Sequence, residues 1–204
     1  MQLPVYLDYN ATTPHDPAVI EAMRPFLETE FGNPSSSHAY GTAPGRAVET
    51  ARAQVAGLLG CRPEEVLFTS GGTESNNHAI KSAAALCMDR GRHIITSQVE
   101  HPSVLEVFRF LETQGFGATY LPVDETGRVS ADRLESEIRP DTVLISIMHA
   151  NNEVGTIQPI EEIARIAENR GILMHTDAAQ SAGKIITEAG RLGVSLLSIA
   201  GHKL

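Results

Sequence analysis

The chain has 204 residues, 42% of them hydrophobic and 20% charged, with a formal net charge of −9; this is the profile of a globular chain long enough to bury its own core. An acidic chain without basic runs argues against general nucleic-acid binding, and its longest apolar stretches, such as "TVLISIM", fall far short of the roughly 20 residues that cross a bilayer. The opening "MQLPVYLDYN" has no basic region and no long apolar run, so no signal peptide is read. The two cysteines, Cys61 and Cys87, have neither a metal-ligand nor a redox spacing, which places the chain in a reducing cytoplasm and leaves the "NAT" sequon at Asn10 idle.

In chain order, "QLPVYLDYNATTP" reads as extended. Asp16-Pro17 then opens a helix, with Asp as its cap and Pro in its first turn, running through "AVIEAMRPFLETE" with a bend at Pro25. "FGNPSSSHAYG" reads as a loop, and "RAVETARAQVAGLLG" as a helix closed by Gly60. From there "EEVLFTS", "HIITSQ", "ATYLPV", "TVLISIM", "ILMHTD" and "VSLLSIA" read as strands. The segments between them carry the helices "TESNNHAIKSAAALCMDRG", "PSVLEVFRFLETQG", "SADRLESEI" (Ser cap) and "IEEIARIAENRG", with a short helical piece near "ITEAGRLG". Apolar strands alternating with helices predict an α/β fold of three layers, a mainly parallel sheet covered on both faces. Such sheets bind ligands at the carboxyl ends of their strands.

The predicted strand ends carry the chemistry. "TSGGTESNN" places Gly71, Gly72 and Thr73 before a helix: either a plain glycine turn with a threonine cap, or an anion site built from free N–H groups, the helix dipole and a hydroxyl. It has no Walker lysine and is not G-x-G-x-x-G, so nucleotide readings are weak. His101, before Pro102, can cap a helix, bind metal, or lie against a planar ligand. Asn152 in "MHANNEVGTIQP" can contact a ligand or satisfy loop backbone. Asp177 closes an apolar strand, where a carboxylate is expensive unless a cation or a protonated heterocyclic nitrogen meets it. Lys203 in "IAGHKL" is either a solvated charge or an amine nucleophile, with His202 beside it. The histidines lie in separate segments and give no metal spacing. Taken together, an anion cradle, a ring-stacking residue, a carboxylate for a pyridinium and a Schiff-base lysine are the parts that pyridoxal phosphate needs.

The ordered stretches "YLDYNATTP", "FGNPSS", "FTSGGTESNN", "EHPSV", "MHANNEVGTIQ", "HTDAAQSAGK" and "GHK" resemble the cysteine desulfurases, within the class V aminotransferase-like enzymes. Selenocysteine lyases share "GGTESNN" and "HTDAAQ". The resemblance runs from residue 6 to residue 203. It implies a fold-type-I pyridoxal-phosphate-dependent transferase large domain over residues 15–204, incomplete at its C-terminal side, with residues 1–14 as an arm that packs with a small domain not present here. It implies a pyridoxal 5'-phosphate held as an aldimine on Lys203, with Asp177 on the pyridine nitrogen and His101 stacked on the ring and transferring protons. Gly72 and Thr73 would hold the phosphate, with His202 assisting and the Ala200 N–H still able to donate; Gly201 would bind the cofactor, Gln180 its phenolic oxygen, and Asn152 the cofactor and the substrate carboxylate.

The implied reaction removes sulfur from L-cysteine as an enzyme persulfide, leaves alanine, and feeds sulfur-acceptor proteins for iron–sulfur cluster assembly or tRNA thio-modification. The implied complete enzyme is a cytoplasmic homodimer with no membrane or nucleic-acid partner. The chain departs from the pattern at Ala200, where many members have a serine that binds phosphate; the lost hydrogen bond is worth roughly 1.5–3 kcal/mol if nothing replaces it. The reactive cysteine that members carry after the lysine is also missing, and neither Cys61 nor Cys87 matches it, so the chain alone is expected not to desulfurate cysteine. The alternatives are a selenocysteine lyase and a non-catalytic binding module.

Overall fold

In a computed structural model, the structure describes residues 4–204. It divides into two compact units, one ending at Leu67 and the other spanning Phe68–Leu204.

In the first unit, helix α1 (Pro17–Glu28) starts as predicted: the Asp16 carboxylate accepts from Ala18 N at 2.8 Å, and Pro17 occupies the first turn, where a missing N–H costs nothing. Helix α2 spans Ala39–Leu59 and ends on Gly60, whose φ of 63° is the left-handed closure expected from the sequence. It begins seven residues before the predicted start at Arg46. Ala39-Tyr40-Gly41, which reads as loop, joins the helix after His38 at its N-cap, because Gly41 lets the chain close on itself: a Cβ there would lie 2.2 Å from the Ser36 carbonyl oxygen. A short 3₁₀ turn, Pro63–Glu65, follows. The Glu65 carboxylate accepts from Arg62 N at 2.8 Å, and Arg52 donates to the Val66 carbonyl.

"EEVLFTS" is therefore not a strand. Its first residues belong to the 3₁₀ turn, and residues 66–69, though extended at Val66, pair with none of the strands. Leu67 and Phe68 are exposed, so the apolar run that suggested a strand has no sheet to bury it.

The second unit is a five-stranded, wholly parallel sheet in the order β2-β1-β3-β4-β5. In chain order it contains α3 (Gly72–Cys87), β1 (His93–Ser97), α4 (Pro102–Thr113), β2 (Gly117–Leu121), α5 (Ala131–Glu137), β3 (Thr142–Ser146), α6 (Ile160–Asn169), β4 (Leu173–Asp177), α7 (Ala189–Leu192) and β5 (Leu196–Ser198). Successive strand side chains point to opposite faces. Ile94 and Leu144 accordingly pack with Ile80 and Ala84 of α3 and with Val104 and Phe108 of α4. Their neighbours Ile95 and Ile145 pack with Leu134 of α5, Ile163 and Ala167 of α6 and Leu192 of α7. These are the three predicted layers. Gly91 sits where the chain enters β1, and a Cβ there would lie 2.2 Å from the Asp141 carbonyl oxygen.

Polar side chains inside this sheet are paired across strands. His93 bonds Thr142 Oγ1 at 2.7 Å and Thr119 Oγ1 at 3.0 Å. His175 bonds Ser146 Oγ at 2.8 Å and Ser198 Oγ at 3.1 Å. Ser75 of α3 donates to the same Ser198 hydroxyl at 2.9 Å. Burial pushes the His175 imidazole down to about 4, against the pull of Asp177. Glu100, in the turn after β1, is 5% exposed. Its Oε1 accepts from Ser97 Oγ at 2.6 Å and from Met148 N at 3.0 Å, fastening that turn to the segment after β3. Burial raises its carboxyl to about 8, well above the usual carboxylate range.

Replacing Gly91 by Ala forces the β1 entrance off the Asp141 backbone and is expected to cost about 1–3 kcal/mol, measured by chemical unfolding. The buried acid and base act in opposite pH windows. Glu100 has a raised native pKa, so its contribution is intact below 4.5 and is lost as pH rises towards about 8. His175 has a lowered native pKa, so its contribution is intact above 6.5 and is lost as pH falls towards about 4. In unfolding titrations, Glu100→Gln should flatten the alkaline loss and His175→Asn the acid loss, each leaving the other limb in place.

Candidate active site

Because all five strands are parallel, their carboxyl ends share one edge of the sheet, and adjacent strands deliver His101 (after β1), Asn152 (after β3), Asp177 (end of β4) and Lys203 (after β5) to it. The first turn of α3 meets the same edge. The Ser75–Ser198 hydrogen bond holds it there, and a Cβ on Gly72 would sit 3.5 Å from Ala200 Cβ. The first helical bond of α3 runs from Ser75 N to Gly71 O, so the N–H groups of Gly72, Thr73 and Glu74 precede the helical ladder. Glu74 turns back to accept from Ser70 N at 2.5 Å, which holds its carboxyl below the usual range. The space a Gly71 side chain would fill is open.

Asp177 is the best-held group at this edge. It is 7% exposed. Oδ1 accepts from Ala179 N at 2.9 Å and Oδ2 from Asn76 Nδ2 at 2.7 Å. Among the described residues it takes part in no ion pair, so a buried carboxylate is held by neutral donors alone. Asn76 also donates to Ser103 Oγ at 2.9 Å, and Ser103 Oγ lies 2.7 Å from His101 Nδ1. His101 caps α4: its Nδ1 accepts from Ser103 N at 3.1 Å. Of the roles open to His101 from sequence, capping is thus the one its Nδ1 fulfils, which leaves Nε2 for other partners.

Asn76 and Ser103 were not singled out from the sequence. The signal for Asn76 is its position on the buried stripe of α3 with Ile80, Ala83, Ala84 and Cys87, where a polar residue needs a partner. Ser103 looked like an ordinary residue of a helix's first turn.

The "MHANNEVGTIQP" tip divides its work between its two asparagines. Asn151 is buried; its Oδ1 accepts from Glu153 N at 2.9 Å and Val154 N at 3.0 Å, and its Nδ2 donates to the Val99 carbonyl at 3.2 Å. Asn152 is half-buried and donates to Glu153 Oε1 at 2.8 Å. Gln180 lies half-buried in the turns after Asp177. Ala200 is buried, and Gly201–Lys203 form a 3₁₀ turn in which Lys203 N donates to the Ala200 carbonyl at 3.0 Å. In that turn Gly201 and His202 are exposed and Lys203 is half-buried.

Cys87 does not belong to this edge. It ends α3, about 22 Å along the helix from Gly72 at 1.5 Å per residue. Cys61 lies in the first unit, and burial and Glu65 push its thiol up, away from the reactive thiolate.

A sequence model described as Aminotransferase class-V matches residues 5–204. The chain is 55% identical to "Cysteine desulfurase IscS" of Dictyoglomus turgidum over 203 residues, covering 100% of this chain and 52% of that one. It is 50% identical to "Cysteine desulfurase" of Homo sapiens over 202 residues, 98% of this chain and 44% of the relative. Among solved structures, "SspA in complex with cysteine" superposes with a TM-score of 0.94 at 44% identity, covering 97% of this chain and 57% of that one. A "NIFS-LIKE PROTEIN" gives the same TM-score and identity over 98% of this chain and 56% of its own. The chain spans about half the length of the curated relatives it matches. With a family model that covers all but its first few residues and relatives of half-identical sequence from end to end, the chain belongs to the aminotransferase class-V family.

Proposed function

We propose that the chain is the cofactor-holding part of a pyridoxal-phosphate-dependent cysteine desulfurase, in which the sulfur of L-cysteine passes as a persulfide to a thiol that neither Cys61 nor Cys87 supplies, and alanine is left. The observation that carries this reading is Asp177: a buried carboxylate, held by Asn76 and the Ala179 N–H, with no cation beside it among the described residues. A protonated pyridine nitrogen is the partner that would offset its burial. The rest of the edge fits the same group. The leading N–H groups of α3 and the open space at Gly71 suit a phosphate, and the half-buried Lys203 suits a carbonyl carbon.

In this reading Gly72 and Thr73 would hold the phosphate, with His202 and the Ala200 N–H assisting and Gly201 beside them in the cofactor site. Asp177 keeps the ring nitrogen protonated, and Gln180 bonds the phenolic oxygen. When bound, the cofactor supplies an electron sink for the bond broken at the substrate. Lys203 holds the cofactor and exchanges protons with the substrate. His101 would stack on the ring and present Nε2 to it, because its Nδ1 is taken by the cap of α4. Asn152 orients the substrate carboxylate. Ala200 leaves phosphate binding to backbone N–H groups and to Thr73 and His202. Sulfur acceptors, a homodimeric assembly and a cytoplasmic location belong to the same proposal. No helix among the described residues is long and apolar enough to cross a membrane.

The test loads the 204-residue chain with pyridoxal phosphate, reduces it with borohydride and maps the modified peptide by mass spectrometry. The label is expected on Lys203 and is expected to vanish in Lys203→Ala. A label elsewhere, or one that survives that substitution, sinks the reading. Cys61→Ser and Cys87→Ser should leave the label unchanged.

A further inference from the structure

The connection between Asp177 and His101 has a direction. The Asp177 carboxylate accepts at both oxygens, so Asn76 must turn Nδ2 toward it, at 2.7 Å from Oδ2. The opposite amide orientation would set two acceptors against each other. The orientation carries a penalty of its own, since Asn76 Oδ1 is buried without a partner among the described residues. With one amide hydrogen given to Asp177, the other goes to Ser103 Oγ at 2.9 Å. Ser103 Oγ accepts from Asn76 and lies 2.7 Å from His101 Nδ1; because that nitrogen accepts from the Ser103 N–H, the hydroxyl proton is the group that can satisfy the contact. The Ser103 N–H points to the same nitrogen at 3.1 Å. A ring nitrogen that receives donors cannot carry a hydrogen itself, so the imidazole proton sits on Nε2.

We infer that Asn76 is a positioning residue: acting through Ser103, it holds His101 in the Nε2–H tautomer and makes that choice depend on the Asp177 carboxylate. His101 therefore meets whatever lies at the strand ends as a hydrogen-bond donor. To accept a proton at Nε2 it would first have to take the Nδ1–H form, which sets a third donor against the Ser103 hydroxyl and N–H. This refines the role proposed for His101 and, in its bearing on catalysis, rests on that reading. The hydrogen bonds themselves do not depend on it.

The tautomer is directly readable. Two-bond ¹H–¹⁵N correlation spectra of the ¹⁵N-histidine-labelled 204-residue chain, without added cofactor, distinguish the two forms, and the His101 signals are assigned by their loss in His101→Gln. The expected wild-type pattern is Nε2–H. Ser103→Ala removes the hydroxyl donor while leaving the N–H, and Asn76→Ala frees that hydroxyl to turn away. Each is expected to lower the Nε2–H to Nδ1–H ratio by roughly two- to tenfold, the value of one neutral hydrogen bond. Ser103→Thr, which keeps a hydroxyl, should restore the wild-type ratio in a chain whose circular dichroism matches that of Ser103→Ala.

A wild-type Nδ1–H majority overturns the inference. So does a Ser103→Ala chain with the wild-type ratio, which also serves if Asn76→Ala does not fold. Failure here leaves the labelling of Lys203 untouched, and failure of that labelling leaves the tautomer result standing, so the two readings fall separately.

Discussion

A parallel sheet covered on both faces offers few partners from solvent, so a polar side chain carried into it is costly unless it is bonded inside. That requirement organises the second unit. Thr96 and Thr176 donate to the Ser146 and Ile147 carbonyls at 2.8 Å, and His93 and His175 each bond two hydroxyls on flanking strands. None of these arrangements needs a charge. At Glu100 burial favours the protonated acid, and Oε1 takes both of its hydrogen bonds while Oε2 has no partner among the described residues. Asp177, at the last residue of β4, is where an acidic group meets the open edge of the sheet while still being held by fixed donors, and the candidate chemistry gathers around it.

The same economy explains how His101 is aimed. It is a helix cap before it is anything else: its Nδ1 satisfies an N–H that α4 would otherwise leave without a partner. The cap fixes the ring, and the ring's other nitrogen is presented at the strand ends as a result. Asn151 plays a comparable part on the next loop. By bonding the tip's own N–H groups and the Val99 carbonyl, it shapes a turn on which Asn152 is left half-exposed.

Most of the fold was legible because its signals are local. Asp16-Pro17, Gly60, Ser130 and the apolar runs of β1 to β5 each carry their own reason for forming what they form. Two expectations failed where the deciding contact is not local to the motif. The start of α2 depends on Gly41 lying against the carbonyl of Ser36, and "EEVLFTS" has strand-like composition but is not one of the paired strands among the described residues. The candidate site follows the same division. Asp177, Lys203 and His101 announce themselves by standing at strand ends. Asn76 and Ser103 act across a separation of 27 positions, and no periodicity in either helix marks that they meet. Asn152 stood out in a conspicuous dipeptide, while its neighbour Asn151 does the structural work.

The hydrogen bond between Ser75 and Ser198 has a mechanical side. Ser198 ends the strand that leads to Lys203, Ser75 sits in the first turn of the helix that carries Thr73, and His175 ties Ser198 to β4. At a separation of 2.9 Å, a slip of even one ångström between strand and helix would break the bond. The lysine-bearing strand and the helix's leading turn are thus joined as one stiff part. A ligand gripped at one end by the turn and at the other by the lysine would be spanned by a frame of nearly constant length, so any adjustment to a changing ligand has to come from the side chains beyond Ala200 rather than from the sheet.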